Sequence, residues 1–179
     1  MSALLVVEGA DGTGKSTVAR ALAVALADLG ARAWHHGPPL PMRPRDPWSM
    51  ALHYAAERAS LAAAMREGTE APVVIADRWW HTAEVFAEAR NDYAQRCLVA
   101  AERASLSHPR ATVVLDASDA TLNARRGDAS REERYAREFY RQPARLSRWG
   151  AVVVNADRPV AEVVAEVEAL ARRAMRGAP

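Results

Sequence analysis

An α/β fold, with a parallel sheet of about five strands and helices on both faces, is predicted by three observations. Short apolar runs at residues 4–7, 73–76, 112–115 and 151–154 have the length and composition of strands buried on both sides. Between them lie longer segments of helical periodicity, and strands alternating with helices imply right-handed crossovers and parallel pairing. A glycine-rich loop, Gly9-Ala10-Asp11-Gly12-Thr13-Gly14-Lys15-Ser16-Thr17, separates the first apolar run from the first periodic segment.

Taken in order, the first helix is carried by Val18, Ala21, Leu22, Ala25 and Leu29, with Gly30 at its C-cap. Residues 31–36 form a second strand. They run into the proline-rich connection 37–47, which excludes helix and central strand and carries Arg43 and Arg45. A loop of this length in a compact domain points to an acceptor-site role or to disorder. Helical pattern resumes over 48–67 with Met50, Tyr54, Leu61 and Met65. The run Val73-Val74-Ile75-Ala76 then ends in Asp77-Arg78. A long helix is expected from about Thr82 to Leu106, closed by His108-Pro109. The strand at 112–115 ends in Asp116, a short helix follows near 120–124, and the arginine-dense stretch 125–148 is largely helical. After the strand at 151–154, Asp157 is the expected cap of a last helix with Pro159 in its first turn. Its buried face is Val160, Val163, Val164, Val167, Leu170 and Ala171. The whole chain, 1–179, reads as one domain, with no internal repeat.

The loop satisfies the phosphate-binding pattern G-x-x-x-x-G-K-S/T in the context that gives the pattern meaning, strand before and helix after. Successive backbone N–H groups then line a concavity, and the helix N-terminus adds partial positive charge. The candidate ATP-binding residues are therefore Gly9, Asp11, Gly12, Thr13, Gly14, Lys15, Ser16 and Thr17, with Lys15 reaching the β- and γ-phosphates and Ser16 ligating Mg²⁺. The expected fold is accordingly the P-loop NTPase three-layer fold. Lys15 is the only lysine among 24 basic residues, the others all being arginine. A planar guanidinium does not replace a compact ammonium in such a loop.

Composition excludes several classes. Half the residues are hydrophobic and 26% charged, as in ordinary globular domains. No apolar run reaches membrane-span length, so no membrane partner is expected. The N-terminus enters its strand at once, without a signal-peptide pattern, and cytoplasmic residence is expected. The single cysteine, Cys97, excludes an intramolecular disulfide and reads as a small buried helix residue. A net charge of +2, with no contiguous basic block, gives no footing for nucleic-acid binding. An Asn-Lys-x-Asp guanine reader is excluded because no second lysine exists. An ATPase-type pair of adjacent acids is absent, since neither Asp77 nor Asp116 is followed by Glu. A phosphotransferase needs arginines to neutralise an acceptor phosphate and a cover that excludes water. Arg58 and Arg78 suit the first task, and the cluster 125–134, with Gly127 as a flexible point, suits a lid.

Over nearly its whole length the chain resembles the thymidylate kinases and their nucleoside-monophosphate kinase relatives. The segment Glu8 to Thr17 is similar to that family's E-G-x-D-G-x-G-K-S-T. Tyr54-Ala55-Ala56-Glu57-Arg58 is similar to F-A-A-D-R, Val73 to Arg78 to the strand ending in D-R, and Arg126 to Glu133 to the lid pattern R-G-x-x-D-R-x-E with Ser130 in place of Asp. The resemblance implies that Tyr54 stacks on the acceptor base and Arg58 contacts the nucleotide. It implies that Arg78 binds the acceptor phosphate, that Asp77 lies by the metal with Ser16, and that Arg125 packs near the donor adenine. It also implies a homodimer. The loop has no arginine of its own, so Arg126 or Arg131 supplies the catalytic one.

Where the family has D-R-Y-x-x-S-x-x-A-Y-Q-G, this chain has Asp77 to Glu88. Thr82 stands for the serine and Phe86 for the tyrosine, and the Gln-Gly is missing. The R-E-P-G-G acceptor loop is replaced by the proline-rich segment. The expected activity is ATP- and Mg²⁺-dependent phosphoryl transfer to a (deoxy)nucleoside monophosphate, dTMP to dTDP above all. The substrates are small-molecule nucleotides, and the catalytic candidates are Lys15, Arg78, Arg126, Arg131 and Asp11. Two alternatives stay open: a kinase acting on a hydroxyl, with Asp77 or Asp11 as base, and a nucleotide-binding regulator with little transfer. His81, beside Trp80, is either a ligand contact or a helix-start residue without a chemical role.

Overall fold

The computed structural model describes residues 2–36 and 46–177. Its sheet is built from β1 (Ala3–Gly9), β2 (Ala31–Trp34), β3 (Val73–Asp77), β4 (Ala111–Asp116) and β5 (Ala151–Asn155). The strand order is β2-β3-β1-β4-β5 and every pairing is parallel. Strand β1 is central, pairing Val7 with Asp77 on one side and Gly9 with Leu115 on the other.

Alternation along β1 divides the core. Leu5 and Val7 pack against α1 (Lys15–Ala25) and α8 (Val160–Arg176), the helix that follows the short α7 (Pro143–Leu146), with Val18, Leu22, Val163 and Val167. Leu4 and Val6 face the other way, towards α2 (Pro47–Glu67), α3 (Trp80–Ala89) and α4 (Tyr93–Ser105), meeting Leu61, Met65, Trp80 and Val99. Successive side chains on a strand point to opposite faces, so one apolar run feeds two cores and the sheet is covered on both sides. The α/β three-layer architecture expected from the sequence is the one observed.

Several details differ from the sequence reading. The long helix expected over 82–106 is two, α3 and α4. Asn91 takes a left-handed conformation (φ 53°), and Asp92 caps α4 by accepting from Gln95 N at 3.0 Å. Strand β2 stops at Trp34, leaving His35 and His36 beyond it. Residues 37–45, with most of the proline-rich connection and Arg43 and Arg45, lie outside the described residues. Pro47 opens α2, where its missing N–H costs nothing, and Asp46 caps it by accepting from Ser49 N at 2.8 Å. Asp157 does not cap α8; Pro159 holds that position. The Asp157 carboxylate instead accepts from Ser118 N (3.0 Å) and Oγ (3.2 Å), pinning the turn before α5 (Asp119–Arg126). Val160 is half exposed at the end of its helix, and Cys97 is exposed on α4 rather than buried. As an edge strand, β5 also leaves Val152 and Val153 in part uncovered. No helix among the described residues is long and apolar enough to cross a membrane.

Gly9 ends β1 at φ 138°, and a Cβ there would stand 2.4 Å from the Leu115 carbonyl oxygen. That oxygen belongs to the neighbouring strand and cannot move aside. Gly9→Ala is expected to lose roughly 2–4 kcal/mol of stability. Urea unfolding measures this, and an unchanged midpoint would show that the strand end relaxes freely.

Candidate functional site

The carboxyl ends of β1, β3 and β4 meet at the point where the chain turns to opposite sides of the central strand, the usual place for a ligand crevice. The glycine loop rises from β1. Gly14, in the left-handed region at φ 91°, is the N-cap of α1 and makes no side-chain cap, leaving the first N–H groups of the helix to a ligand. The loop is closed on itself, since the Ala10 carbonyl accepts from Thr13 Oγ1 at 2.9 Å and from Lys15 Nζ at 2.7 Å.

Lys15 is buried, and burial together with repulsion from Arg78 pulls its pKa down to about 7, against the attraction of Asp11, Asp77 and Glu8. In the unfolded chain it titrates near 10.5. Between those values the unfolded chain binds the proton that the folded one releases. Lys15 therefore adds stability that grows as pH rises above about 7 and is missing below it.

Asp11 is the hub of the loop. Its carboxylate accepts from Arg78 Nη2, stands 3.8 Å from Lys15 Nζ, and lies 3.7 Å from Arg126 Nη2. Burial pushes the Asp11 pKa up, but Arg78, Lys15 and Arg126 outweigh it and hold the carboxyl below its ordinary range. Arg78 sits at φ 76°, its N donating to Val7 O at 3.0 Å and its Nη1 to Thr82 Oγ1 at 3.1 Å. Left-handed backbone at an arginine is uncommon and persists where its surroundings over-determine it. Those surroundings are set by Glu8. Fully buried, Glu8 accepts from Trp79 N (2.8 Å), Thr82 Oγ1 (2.5 Å) and Tyr140 OH (3.0 Å). Burial raises its pKa.

Ser16 Oγ donates to Asp77 Oδ2, which also lies 3.1 Å from His35 Nδ1. Asp77 Oδ1 is buried and has no hydrogen-bond partner among the described residues. An unmatched carboxylate oxygen beside a serine hydroxyl fits a hard divalent cation. No group of three or more His, Cys, Asp or Glu able to hold a metal occurs among the described residues.

The residues expected to form a lid divide. Arg125 Nη1 donates to Gly12 O at 3.0 Å, and Arg126 reaches Asp11, so the end of α5 lies over the loop. Gly127 ends that helix at φ 79°. Ser130 caps α6 (Arg131–Tyr140) in a capping box with Glu133, which explains how a serine serves at that place. Arg131 is exposed in the first turn of α6 and makes no bond to the loop. Thr17 is exposed on α1.

A cavity of about 530 Å³ runs from Asp11 and Ser16 to the helices α2, α3 and α4. All six acceptor-side candidates line it: Tyr54, Arg58, Asp77, Arg78, Thr82 and Phe86. Arg58 is buried and held by Glu102, from Nε at 2.7 Å and Nη2 at 3.0 Å. His36 packs 4.6 Å from the Tyr54 ring and bonds Glu57 at 2.8 Å. Burial lowers its pKa to about 4, and it is neutral at pH 7. His81 is not in this cavity. Buried and stacked on Trp80 at 3.8 Å, with its pKa lowered by burial to about 3, it is a neutral core residue.

Sequence reasoning missed Tyr140, Glu102, His35 and Gln95. Glu8 it carried only as a motif letter. For Glu8 the signal was available, since an acid at the end of an apolar strand must find partners. For Tyr140 and Glu102 none was, because each meets its partner across dozens of residues.

No protein-family model matches this chain, and no curated protein matches it.

With one lysine in the chain, ¹³C-labelled lysine gives a single side-chain signal by nuclear magnetic resonance. Its titration midpoint is expected near pH 7 in the free protein and clearly higher with inorganic triphosphate bound, because the anion favours the ammonium. A midpoint near 10.5 without ligand would contradict the buried placement.

Proposed function

We propose that the protein transfers the γ-phosphoryl group of ATP to a nucleoside monophosphate, most simply dTMP, in a Mg²⁺-dependent reaction of the thymidylate-kinase type. The observation that carries this reading is the continuity of one cavity, from Ser16 and Asp11 of the loop, past Arg78, to Tyr54, Arg58 and Phe86. A donor and an acceptor placed in that space have their phosphates side by side.

The residues divide the work. Loop amides at the start of α1 and the Lys15 ammonium hold the triphosphate, and the bound anion keeps Lys15 charged. Ser16 and Asp77 would hold Mg²⁺, which supplies charge neutralisation at the phosphate oxygens. Arg78, aimed by Thr82 and Asp11, offers its guanidinium to the acceptor phosphate. An oxygen of that phosphate attacks the γ-phosphorus, forming one P–O bond as the bond to ADP breaks. Arg126, beside Asp11, is the lid arginine best placed for the charge on the transferring group. Arg131 would need the lid to move.

An acceptor phosphate is already anionic and needs no strong base. A hydroxyl acceptor does, and Asp11, held below its ordinary range by three cations, is poorly suited to that work.

ADP release from ATP across a panel of nucleosides and their monophosphates tests the reading. Monophosphates, dTMP foremost, are expected to stimulate it. Stimulation by nucleosides alone would assign a hydroxyl kinase, and no stimulation by any acceptor would assign a regulator. Lys15→Ala is expected to lower kcat by about 10²-fold or more. Arg78→Ala is expected to raise KM for the monophosphate about tenfold or more, with KM for ATP little changed.

A further inference from the structure

Trp80 and His81 open α3, and nothing in phosphoryl transfer uses either. They form one wall of a second cavity, of about 500 Å³. It shares no lining residue with the first: Trp80 and His81 belong to this one, Thr82 and Ala83 to the other. The remaining walls are Ala100, Arg103 and Ala104 on the last turns of α4, His108 before β4, and Arg148 and Trp149 in the short turn before β5.

The walls are aromatic. His81 stacks on Trp80 with ring centroids 3.8 Å apart, and Trp149 meets both edge-on, at 4.7 Å from His81 and 6.4 Å from Trp80. Ala100 and Ala104 are too small to fill the space opposite these rings. The charges are of one sign, since no carboxylate among the described residues lines the cavity. Arg103 lies 5.1 Å from the Trp80 ring and is offset by Glu84, 3.5 Å away and outside the lining. Arg148 is exposed and has no ion-pair partner among the described residues, which leaves one cation open.

One lining residue also carries an unmatched donor. Trp80 is 4% exposed, and its Nε1 is buried with no hydrogen-bond partner among the described residues. An indole N–H can only donate, and a buried donor without an acceptor is costly and uncommon. His81 Nδ1 is unmatched as well, but it lies 3.7 Å from Glu8 Oε1, inside the fold. Indole rings, one open guanidinium and one open N–H complement a flat apolar body that carries a single negative charge.

We propose that this cavity is a second ligand site, separate from the phosphate loop and the cavity beside it, and that it takes a planar aromatic monoanion such as an aryl carboxylate. The ring lies against Trp80 and Trp149. A carboxylate oxygen accepts from Trp80 Nε1, and Arg148 meets the charge. Occupancy requires neither ATP nor an acceptor.

Naphthoate titrated into the full chain, followed by nuclear magnetic resonance of ¹⁵N-labelled histidine, is the test. The histidines report the place, since His81 and His108 line this cavity and His35 and His36 line the other. Saturable shifts are expected at His81 and His108. Naphthamide, neutral and of the same shape, is expected to bind about tenfold more weakly. Arg148→Gln, on the surface, is expected to cut that ratio to about two. Trp80→Phe keeps the aromatic wall without the N–H and is expected to weaken naphthoate binding about fivefold. Ala104→Trp plugs the cavity from an exposed helix position and is expected to abolish binding, with circular dichroism identifying the folded variants. Shifts confined to His35 and His36 would overturn the proposal, as would equal affinity for the two probes. Undiminished binding in a folded Ala104→Trp protein, or no saturable binding at millimolar naphthoate, would overturn it too.

Discussion

The Glu8 carboxylate lies next to the end of the central strand with no exposure to solvent, and it must be met by donors or not exist there. The donors come from three places in the chain. Trp79 N belongs to the turn after β3, Thr82 to the first turn of α3, and Tyr140 to the end of α6. One acid thus fixes the β3–α3 turn and the α6 helix against β1. Arg78 stands inside that turn, in a backbone conformation arginine seldom adopts, with its guanidinium on Thr82 and Asp11. The aim of Arg78 is therefore a consequence of how a buried carboxyl group is satisfied.

Electrostatics around the loop follow from the same crowding. Lys15, Arg78 and Arg126 converge on Asp11 in a partly dry site, with Asp77 and Glu8 as further carboxyl groups near Lys15 and Arg78. Burial and the neighbouring Arg78 lower the Lys15 pKa to about 7. A polyanion placed in the loop would relieve this repulsion. Arg58 is the contrasting case, since Glu102 already neutralises it. Its charge is offset within the fold, and it is left to act through direction more than through field.

The cavity was legible in its residues and illegible in its arrangement. Tyr54, Arg58, Asp77, Arg78, Thr82 and Phe86 come from separate stretches, and they do line one cavity. What that cavity presents depends on side chains with no local signature. Gln95 sits on a helix that the periodicity ran together with its predecessor, because the break at Asn91-Asp92 is a matter of one left-handed residue and one cap. Asp157 has the composition of a helix cap and serves instead to pin a turn 39 residues earlier in the chain. Cys97 looked apolar and small, and it faces outward because α4 turns its Gln95, Val99 and Glu102 side inward.

By itself the sequence determined the class of fold, the loop, and the strand and helix that flank it. These are properties of short segments: apolar runs that must be buried, glycines where the backbone needs left-handed conformations, and helical periodicity between them. Tertiary structure decided which charges are matched and which are left open. Arg58 is matched by Glu102, Arg125 lies on Gly12, Arg131 stays apart, and Asp77 Oδ1 and Gln95 Nε2 have no partner among the described residues. A hydrogen bond or ion pair is settled by distances of a few ångströms between residues far apart in the chain, and no pattern along the chain encodes those distances.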